Sequence, residues 1–180
     1  MPVVYAPDGA VGPAPVALAT SPNVLAGLRI GVLDNGKPNA GLLLARIGEQ
    51  LAARTGARLT LVTEKGPGGN AATPCTPGVM DQLVEQCDVV LTGSADCGSC
   101  TSWSVHDTIQ LEHLGVPTVV ATTTSFVELT RHVAAGFGVP EARIAVFPHP
   151  LGGTSDDTIL AWADAAVDEV VALFTTSRTT

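Results

Sequence analysis

Five short apolar runs, each followed by a turn signal and then by a stretch with helical period, set the tightest limit on how this chain folds. The runs are Arg29 to Asp34, Arg58 to Thr63, Asp88 to Gly93, Pro117 to Ala121 and Arg143 to Phe147. They are continuous rather than alternating, which is the pattern of strands covered on both faces. In the first intervening segment Leu43, Leu44, Ile47 and Leu51 form a stripe opposed by Arg46, Glu49, Gln50 and Arg54, and Asn39 is placed to cap it. In the second, Pro77 suits a first helical turn ahead of Val79, Met80, Leu83 and Val84. A third helix is expected from about Ser102 to His113, ending at Gly115. Ser125 is expected to cap a fourth, which carries Phe126, Leu129, Val133 and Phe137 and closes on Gly136 and Gly138. A last helix is expected over about 155–174. Strict strand–helix alternation implies a parallel sheet with helices on both faces. The expectation is therefore a single three-layer α/β domain over residues 28–180, flavodoxin-like or Rossmann-like in outline, with a five-stranded parallel sheet.

Residues 1–27 precede this pattern. They are apolar, yet Pro2, Pro7, Pro13, Pro15 and Pro22 interrupt them, and they lack the basic start of a signal peptide. An extended arm lying on the domain, or on a neighbouring subunit, is the expectation. Charge narrows the partners. Seventeen acidic residues against 9 basic ones give a net charge of -8, which repels phosphate backbones, so nucleic acid is not an expected partner. Charged residues make up only 14% of the chain, a low share that points to surface covered in a homo-oligomer or by a partner subunit. No apolar run reaches the ~20 residues of a membrane span. Four cysteines in a chain of this length do not make a disulfide scaffold, so the expected setting is cytoplasmic, with reduced thiols.

The chemistry is concentrated in Asp96-Cys97-Gly98-Ser99-Cys100-Thr101-Ser102, between the third apolar run and the helix after it. A cysteine at a helix start meets unpaired N–H groups and the positive end of the helix dipole, both of which favour the thiolate. A second thiol three residues on, in a C-x-x-C spacing, can close a disulfide with the first. Cys97, followed by glycine, is read as the nucleophile and Cys100 as the resolving thiol. Two other readings stay open: inert buried thiols, and half of a metal site. Asp96 is read as a proton-handling carboxylate, although beside a thiol it opposes ionisation. His149, between Pro148 and Pro150, is held by the backbone in a way that suits a fixed acid, base or ligand.

In a parallel sheet the loops that follow the strands open on one edge, where ligands bind. Asn35, Lys37, Asn39, Ser99, Thr101 and Thr123 on those loops are the candidates for holding a substrate's polar end. His106 and Cys75 are possible additions, whereas Cys87, His113 and His132 read as packing or surface residues. No metal site is assigned and no cofactor is required beyond an external thiol reductant. Nucleotide cofactors have no support, because neither the dinucleotide-binding nor the P-loop glycine pattern occurs where it would count.

Three segments together resemble a known family. Asp96 to Ser102, with Leu33-Asp34-Asn35-Gly36-Lys37-Pro38-Asn39-Ala40 upstream and Pro148-His149-Pro150-Leu151-Gly152-Gly153 downstream, resemble the UGSC family, many of whose members carry selenocysteine as the first letter of that motif. The last two segments and Gly115 to Val120 are also similar to the selenoprotein B subunit of glycine, sarcosine and betaine reductases. The resemblance covers roughly residues 29–153. It implies that Cys97 stands where relatives place selenocysteine and that Cys100 matches their partner cysteine. In the reductases the selenol attacks a carbon bearing an amine leaving group; here the atom is sulfur.

The reading is a cysteine-dependent enzyme acting on a small organic molecule. Thiolate Cys97 expels an amine, halide or thiol, and Cys100 releases the product through a disulfide that an external thiol or thioredoxin-type reductant restores. A redox-neutral lyase, and a metal-binding or carrier protein using Cys97, Cys100 and His149, are the alternatives.

Overall fold

The computed structural model describes residues 17–176. Its elements run β1 (Arg29–Asp34), α1 (Ala40–Thr55), β2 (Arg58–Glu64), α2 (Pro77–Gln86), β3 (Val89–Ala95), α3 (Gly98–His113), β4 (Thr118–Thr123), α4 (Val127–Gly136), β5 (Arg143–Phe147), α5 (Asp156–Ala165) and α6 (Val167–Thr175). The strands form one sheet in the order β2-β1-β3-β4-β5, and every neighbouring pair is parallel. This is the α/β architecture that the alternation predicts, with the flavodoxin-like strand order. Burial follows position in the sheet. The central strands β3 and β4 are buried at every residue, whereas edge strand β2 has none fully buried.

Both faces are covered. On one, Ile30, Val32, Val89, Leu91, Val119, Ala145 and Phe147 pack against Leu43, Leu44, Ile47 and Leu51 of α1 and against Ile159, Ala163, Val170 and Phe174 of α5 and α6. On the other, Leu33 and Val90 meet Leu83 of α2 and Leu111 of α3, and Val105 and Ile109 of α3 meet Ala134 of α4.

Several local expectations change. The expected last helix is two, broken at Ala166. Ser125 caps nothing: α4 starts at Val127, after Phe126. Asn39 sits at the N-cap of α1 in a left-handed conformation (φ 66°), and its side chain makes no cap bond. Instead its amide donates to the carbonyls of Leu151 and Thr154 at 2.7 and 2.8 Å, tying the β1–α1 loop to the loop after β5. Most consequential, α3 begins at Gly98 rather than Ser102, and β3 extends to Ala95. Both elements grow toward each other because parallel pairing with β4 continues to the end of β3, through a register shift that leaves Ser94 without a partner in the β3–β4 ladder. Gly93, beside that shift, has φ 147°, and a Cβ there would lie 2.9 Å from the Ala121 carbonyl oxygen. A side chain would push β3 and β4 apart immediately below the site.

Of the N-terminal arm, residues 1–16 lie outside the described residues. Residues 17–27 run over the domain, and one buried ion pair fixes them. Glu112 on α3 and Arg143 on β5 are both about 1% exposed and hydrogen-bonded to each other. The free oxygen of Glu112 accepts from the Ala19 N–H at 2.7 Å, and Arg143 donates to the Ala19 carbonyl at 2.8 Å and to the Ser21 hydroxyl at 2.9 Å. Removing one member of such a pair leaves an unneutralised buried charge, at a cost of about 3–5 kcal/mol. Glu112→Ala is therefore expected to lower the unfolding free energy by about that amount in urea titrations. The double variant Glu112→Leu with Arg143→Met should recover much of the loss; equal stability of Glu112→Ala and wild type would show that the pair anchors nothing.

Candidate functional site

The carboxyl ends of β1 and β3, where the strand order reverses direction, mark the place at which sheets of this topology bind ligands. The β1–α1 loop supplies Asn35, Lys37 and Asn39 there, and the β3–α3 junction supplies Asp96 and Cys97. Asn35 builds the place rather than facing solvent. It is about 1% exposed, its N–H donates to the Gly93 carbonyl, and its amide donates to the Ser94 carbonyl at 2.8 Å and the Ser104 hydroxyl at 3.1 Å. Its side-chain oxygen accepts from the Lys37 N–H at 3.2 Å. Asn35 thus clamps the end of β3 and the second turn of α3, and shapes the loop that presents Lys37.

Cys97 is the N-cap of α3. Its sulfur accepts from the Cys100 N–H at 3.3 Å, and the Ser99 hydroxyl lies 3.7 Å away. Partial burial pushes this thiol up. The Cys100 thiol and N–H, the Ser99 hydroxyl and the positive charge of Lys37 act the other way and prevail, so the Cys97 thiol lies below its ordinary value. Cys100, in the first turn, is fully buried and pushed up to about 11, by burial first and then by its position as donor to Cys97. Its sulfur also accepts from the Asp96 N–H at 3.2 Å and lies 3.3 Å from the Cys97 carbonyl oxygen. Two thiols at one helix start are therefore unequal: one half-exposed and disposed to ionise, one buried and protonated. The buried Thr101 hydroxyl donates to the Cys97 carbonyl at 2.6 Å, so Thr101 braces the turn.

Asp96 and His149 pair with each other. His149 Nδ1 is 2.9 Å from Asp96 Oδ1, and the buried Thr123 hydroxyl lies 3.1 Å from both atoms. A carboxylate only accepts, so Nδ1 carries a proton toward Asp96 and Nε2 is the ring nitrogen turned away from it. The strand order explains the contact. Asp96 follows β3, His149 follows β5, and Thr123 ends β4 between them. Phe126 packs on the imidazole with ring centroids 5.8 Å apart. Sequence reasoning selected Asp96, Thr123 and His149 separately and missed both the pairing and Phe126. The signal was their shared position at the ends of three strands, but it becomes legible only once the strand order is known. His149 is not among the hydrogen-bond partners of Cys97, nor among the groups that set its ionisation; Lys37, Ser99 and Cys100 hold those places.

The further candidates form a different cluster. Asp107, fully buried on α3, faces Lys65 Nζ at 2.8 Å, accepts from the Cys75 N–H at 3.0 Å and lies 3.3 Å from His106 Nδ1. Burial, reinforced by Asp107, pushes the Cys75 thiol up to about 12, and burial also raises that of Cys87. His113 and His132 are exposed. Among the described residues no three His, Cys, Asp or Glu side chains converge in a way that could hold a metal ion. No helix of the described residues is long and apolar enough to cross a membrane.

These environments rank the thiols. Iodoacetamide is expected to label Cys97 first and Cys75 and Cys87 last in peptide maps. The rate should rise with pH to a plateau whose midpoint lies below ~8.5, the value of a free cysteine. Removing positive charge disfavours the thiolate, so Lys37→Gln should move that midpoint upward. An unmoved midpoint would detach Lys37 from the site.

Likeness to solved structures is distant. Translation elongation factor SelB from Methanococcus maripaludis matches in its apo form at 12% identity with a TM-score of 0.48, and bound to the GTP analogue GppNHp at 11% and 0.47. Each match takes in 87% of this chain but only 35% or 36% of the factor. The lactose-specific IIB component domain of the phosphotransferase system from Streptococcus pneumoniae matches at 14% identity and a TM-score of 0.32, over 82% of this chain and 97% of that domain. No curated protein matches the sequence. A family model does match, and it takes in the β1–α1 loop, the Cys97–Cys100 turn and the loop after β5 in one span. Covering residues 3–176 of the 180, that match makes the chain a member of the UGSC family.

Proposed function

We propose that this chain is a thiol-dependent enzyme that reductively removes a heteroatom group from a small organic substrate. The observation that carries the reading is the inequality of Cys97 and Cys100 at the start of α3. In the first step the Cys97 thiolate attacks the substrate carbon. A C–S bond forms, the bond to the amine, halide or thiol breaks, and the leaving group departs with its electron pair. Lys37 faces the charge at the sulfur before attack. The Asp96–His149 pair moves protons: it protonates an amine or thiol leaving group when it carries the proton and accepts one in the tautomer with Nε2 free.

The second step uses Cys100. Once Cys97 is a thioether it can no longer ionise, so its thiolate no longer holds the Cys100 thiol up. Cys100 then attacks the Cys97 sulfur, and the proton it gives up balances the one that carbon takes up. The S–S bond forms, the C–S bond breaks, and the electron pair returns to carbon, which takes up a proton. The two thiols supply two electrons, and an external thiol or thioredoxin-type reductant returns them by reducing the disulfide. A carbon that leaves with an electron pair needs a neighbouring group to hold it, so the substrate class is one with its leaving group next to a carbonyl. The sequence resemblance to the selenoprotein B subunit of glycine, sarcosine and betaine reductases, in which the selenol attacks a carbon bearing an amine leaving group, supports the first step. Reduced thiols before each turnover agree with a cytoplasmic setting.

The test is intact mass after incubation with α-halo and α-amino carbonyl compounds. Cys100→Ser is expected to accumulate one stable adduct on Cys97, with steady-state turnover reduced at least ~100-fold, while wild type returns to its dithiol mass in excess reductant. His149→Gln should lower turnover by about 10²–10⁴-fold. Undiminished turnover of Cys100→Ser without consumption of reductant would replace this reading with a redox-neutral lyase.

A further inference from the structure

Beside the thiol turn, α3 and the end of α4 border an open surface cavity of about 330 Å³ lined by Ser102, Trp103, His106 and Phe137. Its walls are aromatic. The His106 ring stands edge-on to Trp103 at 5.3 Å between centroids and edge-on to Phe137 at 6.1 Å, both at 70°. Phe137 is 42% exposed, which is high for a side chain of its size. His106 Nδ1 is engaged by buried Asp107, so the imidazole is fixed in this wall.

The cavity is joined to the nucleophile by the helix itself. Ser99, whose hydroxyl lies 3.7 Å from the Cys97 sulfur, is one turn before Trp103, and residues four apart occupy the same face. The axial distance between them is about 6 Å. Ser102 lies on the neighbouring row, with its hydroxyl donating to the Gly98 carbonyl at 3.3 Å. An apolar cavity of roughly 150 Å³ holds a benzene ring. This one therefore has room for one ring and a substituent, and its nearer wall, Trp103, lies six residues beyond Cys97, about 9 Å along the axis, a span that a three-atom linker and the ring together cover.

We propose that this cavity is the subsite for the body of the substrate, and that the body is an uncharged aromatic ring carried about three atoms from the carbon that Cys97 attacks. Edges and faces of Trp103, His106 and Phe137 offer such a ring the offset and edge-to-face arrangements that aromatic groups prefer. Ser102 is the polar group at the mouth, placed to meet the linker. The proposal rests on the reading of Cys97 as nucleophile and adds the substrate class to it.

The experiment compares iodoacetamide with N-benzyl iodoacetamide. In both, the Cys97 thiolate displaces iodide and forms one C–S bond, so the probes differ only in the ring. Cys97 is expected to react at least ~10-fold faster with the benzyl reagent, the low end of what burying one phenyl group confers, and the rate should saturate with concentration. Phe137→Ala and Trp103→Leu should bring the ratio to about 2-fold or below and leave the iodoacetamide rate unchanged. A second measurement is independent of the thiol: unreactive N-benzylacetamide is titrated against Trp103 fluorescence in a Trp162→Phe background, with loss of binding expected in Phe137→Ala. Equal, unsaturable rates for both reagents, with no fluorescence change, would overturn the subsite while leaving the nucleophile intact. Failure of Cys97 to react with either reagent would sink the nucleophile, and the fluorescence titration would then decide the subsite alone. Sedimentation velocity covers the remaining case: conversion of a dimer to a monomer by Phe137→Ala would make this face an interface between copies and overturn the proposal.

Discussion

Two carboxylates on α3, Asp107 and Glu112, lie inside the protein, each facing a buried cation. An ion taken out of water without its partner costs several kcal/mol, so the helix has no freedom to slide or rotate by a residue. Asp107 meets Lys65 and the Cys75 N–H, on the segment between β2 and α2. Glu112 meets Arg143 on β5, the Thr118 N–H at the head of β4 and the Ala19 N–H of the N-terminal arm. The position of α3 is thus set against four parts of the chain by polar contacts. Its N-terminus, which carries Cys97, inherits that position.

From that fixed helix start the inequality of the thiols follows. A sulfur at the N-cap receives N–H groups that have no partner in the helix, while a sulfur in the first turn points back toward the sheet and is enclosed. Identical side chains three residues apart are thereby pushed in opposite directions. The same inequality is what a nucleophile and a resolving thiol require in the proposed reaction, since both ionising at once would set two negative charges side by side.

The ends of β3, β4 and β5 contribute the second half of the site. Thr123 stands between Asp96 and His149 because β4 stands between β3 and β5, and its hydroxyl reaches both. Engaged there, the Asp96 carboxylate does not determine the ionisation of the adjacent Cys97, although the two are consecutive in sequence. The aromatic cavity lies further along α3, so one helix presents thiols at its start and rings a turn later.

What the sequence determined is what depends on period and on neighbours along the chain. Continuous apolar runs such as Val89 to Leu91, alternating with stripes such as Leu43, Leu44, Ile47 and Leu51, dictate a parallel sheet with helices on both faces. Cys97 and Cys100 at a strand–helix junction announce a loop with unequal thiols. Tertiary structure decided what depends on strand order and on burial. Asn35, Asn39 and Thr101 read as candidates for holding a substrate's polar end, with Asn39 also as a helix cap, but each is turned inward to satisfy a backbone or side-chain partner that no local pattern reveals. The Asp96–His149 pair, 53 residues apart, exists only because β5 follows β4 in the sheet. The start of α3 at Gly98 likewise had no periodic signal, since Gly98, Ser99 and Thr101 are poor helix formers. Those residues are helical because β3 delivers the chain there and the Cys97 sulfur and carbonyl cap the first turn, and burial of the far end of the same helix holds it in place.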